Sequence, residues 1–326
     1  MLKYIIKRLI VMIPVVLFIS IVGFVSANIT SDPVTAYFSG MDKRTGREPT
    51  AEEIEQAKKA LGLDQPMMVR YFKWLGRILQ GDLGYTADGK LIIDEIKSRL
   101  PVSLALGISG IIIGTCGGIL LGVLCARHQY SLFDYAVGAI NYLLQSLPSL
   151  LTAILLVILL CQKLKWLPTF GYNSPNLVNP TRWETFLDHA KHMVIPVLCS
   201  ALPSMGSWAR FQRAAYLEVM RSDYIRTARS KGLNEHSVAF RHALRNALLP
   251  IANMTGGILM GAIGGSYVIE TLFSLPGIGS LTTGALLAFD YNLMLSTSLL
   301  SAIMGTMALL ISDITIAIVD PRIRYE

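Results

Sequence analysis

Charge is scarce in this chain. Of its 326 residues, 16% are Asp, Glu, Lys or Arg, against about 25% in an average soluble domain. Hydrophobic residues make up 52%, and the mean hydropathy is +0.50. A disordered chain and an ordinary soluble enzyme are both excluded by that balance. Cysteine is scarce as well. Cys116, Cys125, Cys161 and Cys199 lie within or at the ends of apolar runs, and no two form a C-x-x-C pair, so neither a disulfide framework nor a zinc site is indicated. The chain has no G-x-x-x-x-G-K-[ST] loop, because Gly89-Lys90 is followed by Leu91; that route to cradling ATP phosphates is closed. H-E-x-x-H, G-x-S-x-G and carboxylates clustered on one helix face are also missing. Nothing here supports catalysis, a cofactor or a metal. His189 and His192 share a helix face, but a metal site needs further ligands and supporting groups, so they read as a surface pair near a membrane edge.

Long apolar runs are what the chain has. Six stand out: Leu9–Ile29, Val102–Ala126, Ala136–Leu160, Met193–Trp208, Leu248–Ile269 and Leu293–Val319. At roughly 1.5 Å per residue, each crosses or nearly crosses a hydrocarbon core about 30 Å thick. The fourth is the weakest, interrupted by Pro196, Ser200, Pro203, Ser204 and Gly206. The expectation is an all-α integral membrane protein with six transmembrane helices. The first run exceeds a signal-peptide core of about 7–15 residues, so it reads as a retained anchor. The net charge of +7 fits cytoplasmic loops better than nucleic acid. Lys3, Lys7 and Arg8 place the N-terminus in the cytoplasm, and six crossings return the C-terminus there. That arrangement keeps Arg210, Arg213, Arg221, Arg226, Arg229, Lys231, Arg241 and Arg245 inside, as the positive-inside rule favours.

The expected organisation is an N-terminus and first span over 1–29, an extracytoplasmic helical loop over 30–100, a five-helix core over 101–320 with a cytoplasmic loop at 216–247, and a tail over 321–326. In the outer loop, Thr50-Ala51-Glu52-Glu53 is a capping box for a helix through Leu61, with Gly62 as its stop. Asp64-Gln65-Pro66 opens a second helix, on which Val69, Phe72, Leu75, Leu79 and Trp74 predict an apolar stripe. Gly81-Asp82-Leu83-Gly84 ends it. This loop is read as a small helical cap, with docking of an external partner as the functional alternative. Gly110, Gly114, Gly118 and Gly122 in span two, and Gly257, Gly261 and Gly265 in span five, predict close helix packing, with a substrate path lined by small residues as the functional alternative. Asp313 is the one carboxylate within the spans, and pairing with a neighbouring helix is its structural reading. Gln145, Ser146 and Ser149, around Pro148, either face a path or make packing hydrogen bonds.

The segment between spans four and five is the most informative. Ser222-Asp223 starts a helix, Gly232 stops it in a left-handed conformation, and Asn234 caps a second helix over Glu235–Leu248. The first helix exposes Arg226, Arg229 and Lys231, with Tyr224, Ile225 and Ala228 interleaved. A face toward anionic lipid and a short helix docking in a groove of a partner are both open on physics alone.

The stretch Tyr224-Ile225-Arg226-Thr227-Ala228-Arg229-Ser230-Lys231-Gly232-Leu233, followed by Arg241-His242-Ala243-Leu244-Arg245-Asn246-Ala247-Leu248-Leu249-Pro250, resembles the coupling loop of bacterial ABC importer permeases of the dipeptide, oligopeptide and nickel branch. So do Leu61-Gly62-Leu63-Asp64-Gln65-Pro66, Gly81-Asp82-Leu83-Gly84, Arg99-Leu100-Pro101, the run from Glu270 through Phe273, Pro276 and Gly277 to Gly279, and Asp320-Pro321-Arg322-Ile323-Arg324. The resemblance covers nearly the whole chain, and the long outer loop is similar to that of the first of two paired permeases. It implies type I importer architecture, a second permease subunit, two cytoplasmic ABC ATPase subunits, an external substrate-binding protein, and contact with membrane lipid. It implies no nucleic acid and no cofactor in this chain, with ATP hydrolysis supplied by the partner subunits. It assigns ATPase coupling to Tyr224, Arg226, Thr227, Ala228, Arg229, Lys231, Gly232 and Leu233. The wider importer motif begins Glu-Ala-Ala; here Arg226 and Thr227 stand in the first two places. Glu270, Phe273, Pro276 and Gly277 become candidates for an outer gate, with an ordinary connecting loop as the alternative. Peptide leads as the imported substrate, with a nickel chelate next. An ion-coupled secondary transporter is the competing class, and Asp313 alone would have to carry it.

Overall fold

The structure, a computed structural model, describes residues 2–30, 50–60, 63–177, 179–251 and 266–319. The chain is predominantly helical, and no named strand occurs among the described residues. The helices are α1 (Leu2–Thr30), α2 (Ala51–Ala60), α3 (Met67–Leu79), α4 (Ile92–Arg127), α5 (Leu132–Ser146), α6 (Ser149–Leu156, prolonged by a π-helical stretch Val157–Lys163), and α7 (Arg182–Met220). They continue as α8 (Asp223–Ser230), α9 (a helical run over 235–247), α10 (Tyr267–Leu272), α11 (Ile278–Leu287) and α12 (Tyr291–Val319).

Among the described residues, α1, α4 and α12 are each long and apolar enough to cross a membrane. The third expected span is broken. Pro148 disfavours helix at the residue before it, Leu147 is extended at ψ 131°, and α5 and the α6 unit meet at 114°. Taken together this pair supplies a fourth crossing segment or a re-entrant loop. The fourth expected span lies inside α7, which is 39 residues long and runs on through Pro196 and Pro203. It is long enough to cross, but too polar to stand with the others. The fifth expected span, with Gly257, Gly261 and Gly265, falls mostly on residues outside those described, as do Leu61, Gly62 and the 320–326 tail. Three or four crossing helices are therefore seen among the described residues, from which most of one of the six expected spans is missing.

Two layers hold the fold. The glycine stripe of α4 packs on α7: a Cβ built on Gly118 would stand 2.8 Å from the Met205 carbonyl oxygen, and one on Gly122 2.6 Å from that of Ala209. Only glycine admits that approach, so the packing reading of this stripe holds. The second layer pairs α1 with α12 in antiparallel fashion. Arg8 Nη1 lies 3.1 Å from Asp313 Oδ2 near one end, and Phe24 meets Tyr291 edge-on near the other. Asp313 is thus paired within the chain. Because α4 begins at Ile92, the expected loop-to-core boundary at 100/101 falls inside one continuous helix.

The outer-loop capping box forms as expected, with Thr50 N donating to Glu53 Oε2 at 2.8 Å and Glu53 N to Thr50 Oγ1 at 3.4 Å. The stripe on α3 forms only in part, since of its expected members Trp74 and Leu75 lie on the buried face. Tyr71 and Trp74 are buried, with Leu75 and Ile78 packed beside them against Phe24, Ala27, Leu295 and Leu299. Val69, Phe72 and Leu79 point outward. The buried face is turned from the expected one because Tyr71 and Trp74 fill the aromatic corner with Phe24, and Tyr71 Oη shares a 2.7 Å hydrogen bond with Ser20.

Candidate functional site

Residues 222–247 fold as two short helices joined at a glycine. Ser222 is the residue before α8, extended at ψ 151°, without a capping hydrogen bond from its side chain. At the other end Gly232 takes φ +77°. Its N–H donates to the Arg229 carbonyl at 2.9 Å, and that of Leu233 donates to the Ala228 carbonyl at 3.4 Å. These two bonds are the Schellman closure, and its left-handed residue is nearly always glycine. Asn234 then caps α9, accepting from Ser237 N at 2.7 Å. Inside α9 the residues Val238–Leu244 adopt π geometry, which the sequence did not signal.

The bend is anchored underneath and open above. Ile225 and Ala228 of α8 are buried with Val123, Ala126, Tyr216, Val238, Ala243 and Ala247, tying the unit to α4 and α7. Arg229 spans the glycine bend and donates Nε and Nη2 to the two carboxylate oxygens of Glu235 at 2.8 and 3.2 Å. That guanidinium holds the Glu235 carboxyl below its ordinary range. Tyr224 Oη accepts from Asn246 Nδ2 at 3.1 Å, and Arg127 sits 5.7 Å from the Phe240 ring centroid. Thr227 Oγ1 donates to the Asp223 carbonyl within α8. Tyr224, Arg226, Thr227, Lys231 and Leu233 are exposed. Of the expected basic face, then, Arg229 is occupied by Glu235, and Arg226 and Lys231 are the cations presented outward. The Arg229–Glu235 clasp went unnoticed in the sequence; a basic and an acidic residue flanking a helix-stopping glycine was its one signal.

The segment after residue 265 is a tight hairpin, α10 and α11, closed by a buried carboxylate. Glu270 is fully buried; its Oε1 accepts from Ser103 Oγ at 2.9 Å and its Oε2 from Ser280 N at 3.1 Å. Ser103 Oγ in turn accepts from Ile278 N at 2.7 Å. Gly277 lies against the Glu270 carboxylate and Ser103 with no room for a Cβ. Phe273 is buried beside Ile195, Val197 and Leu106. Pro276 is half-buried. The Glu270, Phe273 and Gly277 side positions face the interior of this subunit, so they brace the hairpin from within.

At the Pro148 bend, Gln145 Oε1 accepts from Arg210 Nη2 at 2.7 Å, and Ser146 Oγ donates to the Tyr142 carbonyl of its own helix at 2.8 Å. Ser149 is exposed at the start of α6. A hydrogen bond between helices thus accounts for one of the three expected path residues, Gln145. The histidine pair is not a surface pair. His192 is buried with Nδ1 2.9 Å from the Asp188 carbonyl, whereas His189 stacks on Tyr172 at 4.0 Å and meets Asn173. Burial pushes the Asp188 carboxyl up, and hydrogen bonds from the Ser174 hydroxyl and N–H outweigh it, leaving the group below its ordinary range. No group of three or more His, Cys, Asp or Glu with metal-binding geometry occurs among the described residues.

Comparison with known proteins identifies the family. The family described as binding-protein-dependent transport system inner membrane component matches residues 118–325, and its N-terminal companion matches residues 1–107. This chain belongs to that family. The oligopeptide transport system permease protein AppB of Bacillus subtilis is 35% identical over 328 residues, covering 100% of both chains. A putative peptide transport system permease protein of Brucella abortus is 37% identical over 323 residues, covering 99% of each. The dipeptide transport system permease protein DppB of Lactococcus lactis is 32% identical over 327 residues, covering 99% of this chain and 100% of the relative. As a member of the family the chain is an inner-membrane permease component of an ABC import system.

Proposed function

We propose that this chain is the first of two paired permease subunits of an ATP-driven peptide importer, with six crossings and both termini in the cytoplasm. Its full-length similarity to permeases named for oligopeptide and dipeptide transport supports peptide over a nickel chelate. Two cytoplasmic ATPase subunits and an external binding protein complete the assembly, and hydrolysis belongs to those ATPases. One observation carries the coupling role: α8 is clamped to α4 and α7 through Ile225 and Ala228 yet presents Tyr224, Arg226, Thr227, Lys231 and Leu233 to solvent. Such a unit transmits a push as a rigid body, because its two helices share one apolar anchor and the Arg229–Glu235 clasp closes the bend. The motion reaches α7 directly, which suits rigid-body alternating access. In this scheme Gln145, Ser146 and Ser149 border the path at the Pro148 bend, and the hairpin of Glu270, Phe273, Pro276 and Gly277 stiffens its outer end. The test is to solubilise the chain from its native membrane in mild detergent and identify what co-purifies by mass spectrometry. Two P-loop ATPases and a second permease are expected. The chain alone, active for uptake in liposomes without ATP, would overturn the proposal and return Asp313 to the centre.

A further inference from the structure

A second site lies at the far end of α1 from the N-terminus, beside α3. A cavity of about 680 Å³ opens there, lined by Phe24, Lys59, Arg70, Lys73, Arg77 and Tyr291 among others. That volume is within the roughly 300–1,000 Å³ of small-ligand sites. The lining holds four cations and, among the described residues, no carboxylate. Lys59 is shared with Glu55 at 3.2 Å, and Arg70 gives one Nη2 hydrogen to Asn28 Oδ1 at 2.6 Å. Lys73 gives one ammonium hydrogen to Gln65 Oε1 at 2.8 Å, leaving two. Arg77 has no carboxylate partner among the described residues.

The geometry of α3 explains what the cavity is for. At 100° per residue, the buried face of Tyr71, Trp74 and Ile78 is flanked on one side by Arg70 and Arg77, with Lys73 beyond them. On the opposite flank Met68, Phe72 and Leu79 stand exposed at 67%, 61% and 80%. A helix with exposed apolar residues on one flank and cations on the other lies in a membrane interface, its apolar flank among acyl chains and its cations at headgroup level. Its anchor supports that depth, since Tyr71 reaches Ser20, a residue well inside α1. Cations at that level facing an open cavity, with Trp74 and Tyr291 beside them, match an anionic headgroup.

We propose that this cavity binds the phosphate of an anionic glycerophospholipid, held by Lys73 and Arg77 with Arg70 behind them, in the leaflet that α3 faces. The inference stands on α3 and its neighbours alone and is independent of the coupling-loop reading. Lipid is favoured over an acidic protein surface because Phe72 lines the same cavity as Lys73 and Arg77, so a ligand with a charged head and an apolar chain meets both.

The experiment uses the chain with all its co-purifying subunits, titrated with phosphatidylglycerol or phosphatidylcholine and read by native mass spectrometry. Lys73→Gln and Arg77→Gln are compared singly and together; neither side chain supports the buried face of α3. The intact assembly is expected to retain phosphatidylglycerol over phosphatidylcholine. Each substitution should weaken that preference roughly fivefold, and the pair on the order of 30-fold, as expected for cations at a charged membrane surface. A lipid preference unchanged in the double variant overturns the proposal. So does displacement of the bound lipid by millimolar inorganic phosphate alone, which would mark a free-phosphate site. Loss of affinity for an acidic external protein, with the lipid preference intact, overturns it in favour of protein docking.

Discussion

Gly232 is where the coupling-loop geometry makes its sharpest demand. Its φ of +77° lies in the left-handed region, and a Cβ built on it meets nothing within 4 Å. Steric crowding by neighbours therefore contributes nothing to a substitution there, and the whole cost is conformational. For Gly232→Ala that cost is roughly 1–2 kcal/mol, which lowers the population of the bent form about five- to thirty-fold relative to its alternatives. Asparagine tolerates the left-handed region better than alanine, so Gly232→Asn should sit between glycine and alanine. Proline is the extreme, because its ring fixes φ near about −65° and removes the N–H that donates to Arg229.

The assay is the assembled importer in proteoliposomes, scored as substrate taken up per ATP hydrolysed in the presence of loaded binding protein. The expected order is Gly, Asn, Ala, Pro, with insertion and assembly retained throughout. Hydrogen exchange at residues 230–235 separates geometry from function, since all three variants should exchange faster there than the parent. Gly232→Pro with the parental ratio of uptake to hydrolysis would refute the claim that the bend transmits the stroke. Equal loss in the Asn and Ala variants would refute the conformational argument itself, because both add a Cβ and only their left-handed preferences differ.

Other expectations concern the supports. Gly122→Ala should lower the melting temperature in detergent, because its Cβ would press on the Ala209 oxygen and Gln212 and overpacking costs about 1–3 kcal/mol; Gly138→Ala, with nothing within 4 Å, should leave it unchanged. Ser103→Ala should destabilise by about 1–3 kcal/mol, since it strips one partner from both buried Glu270 and Ile278 N–H, and a denaturation midpoint checks it. The Glu235 carboxyl is depressed by Arg229, so what their clasp contributes is present above the ordinary carboxylate pKa of about 4.3 and lost as pH falls through the depressed value. Hydrogen exchange at the bend, corrected for its intrinsic pH dependence, should therefore be flat from pH 6 to 8 and rise only in acid, and Glu235→Gln should abolish that acid step.

What could be read from the sequence was what short-range chemistry dictates. The Thr50–Glu53 box, the Asn234 cap and the left-handed Gly232 are each set by residues within a few positions, so the same contacts form whatever surrounds them. The small-residue stripe of α4 was legible for a related reason: spacing by four puts Gly110, Gly114, Gly118 and Gly122 on one face, and the absence of side chains there has one close-packed use. The break at Pro148 was also visible, though not that it would turn the chain by 114°, because a proline sets the conformation before it and leaves the direction after it to packing.

The face of α3 was read only in part, for a reason particular to membranes. In water, an apolar stripe is buried against protein. Near a bilayer, two apolar arcs on one helix compete, and lipid satisfies either of them. Hydropathy ranks Phe72 and Leu79 above Tyr71 and Trp74, yet the first two face outward and the last two are buried. What separates the arcs is polar: Tyr71 carries a hydroxyl that Ser20 can meet, and Phe72 and Leu79 carry nothing that needs a partner. A buried polar group must be paired, whereas an apolar one is indifferent to whether lipid or protein covers it. The same rule reads the 270–280 hairpin. Glu270 lies inside an apolar segment, and its carboxylate accepts from two donors, Ser103 Oγ and Ser280 N, with Ile278 N held one step away on Ser103 Oγ, so it fastens the hairpin from within. In this chain the polar atom, more than the apolar stripe around it, tells which surface is held inside.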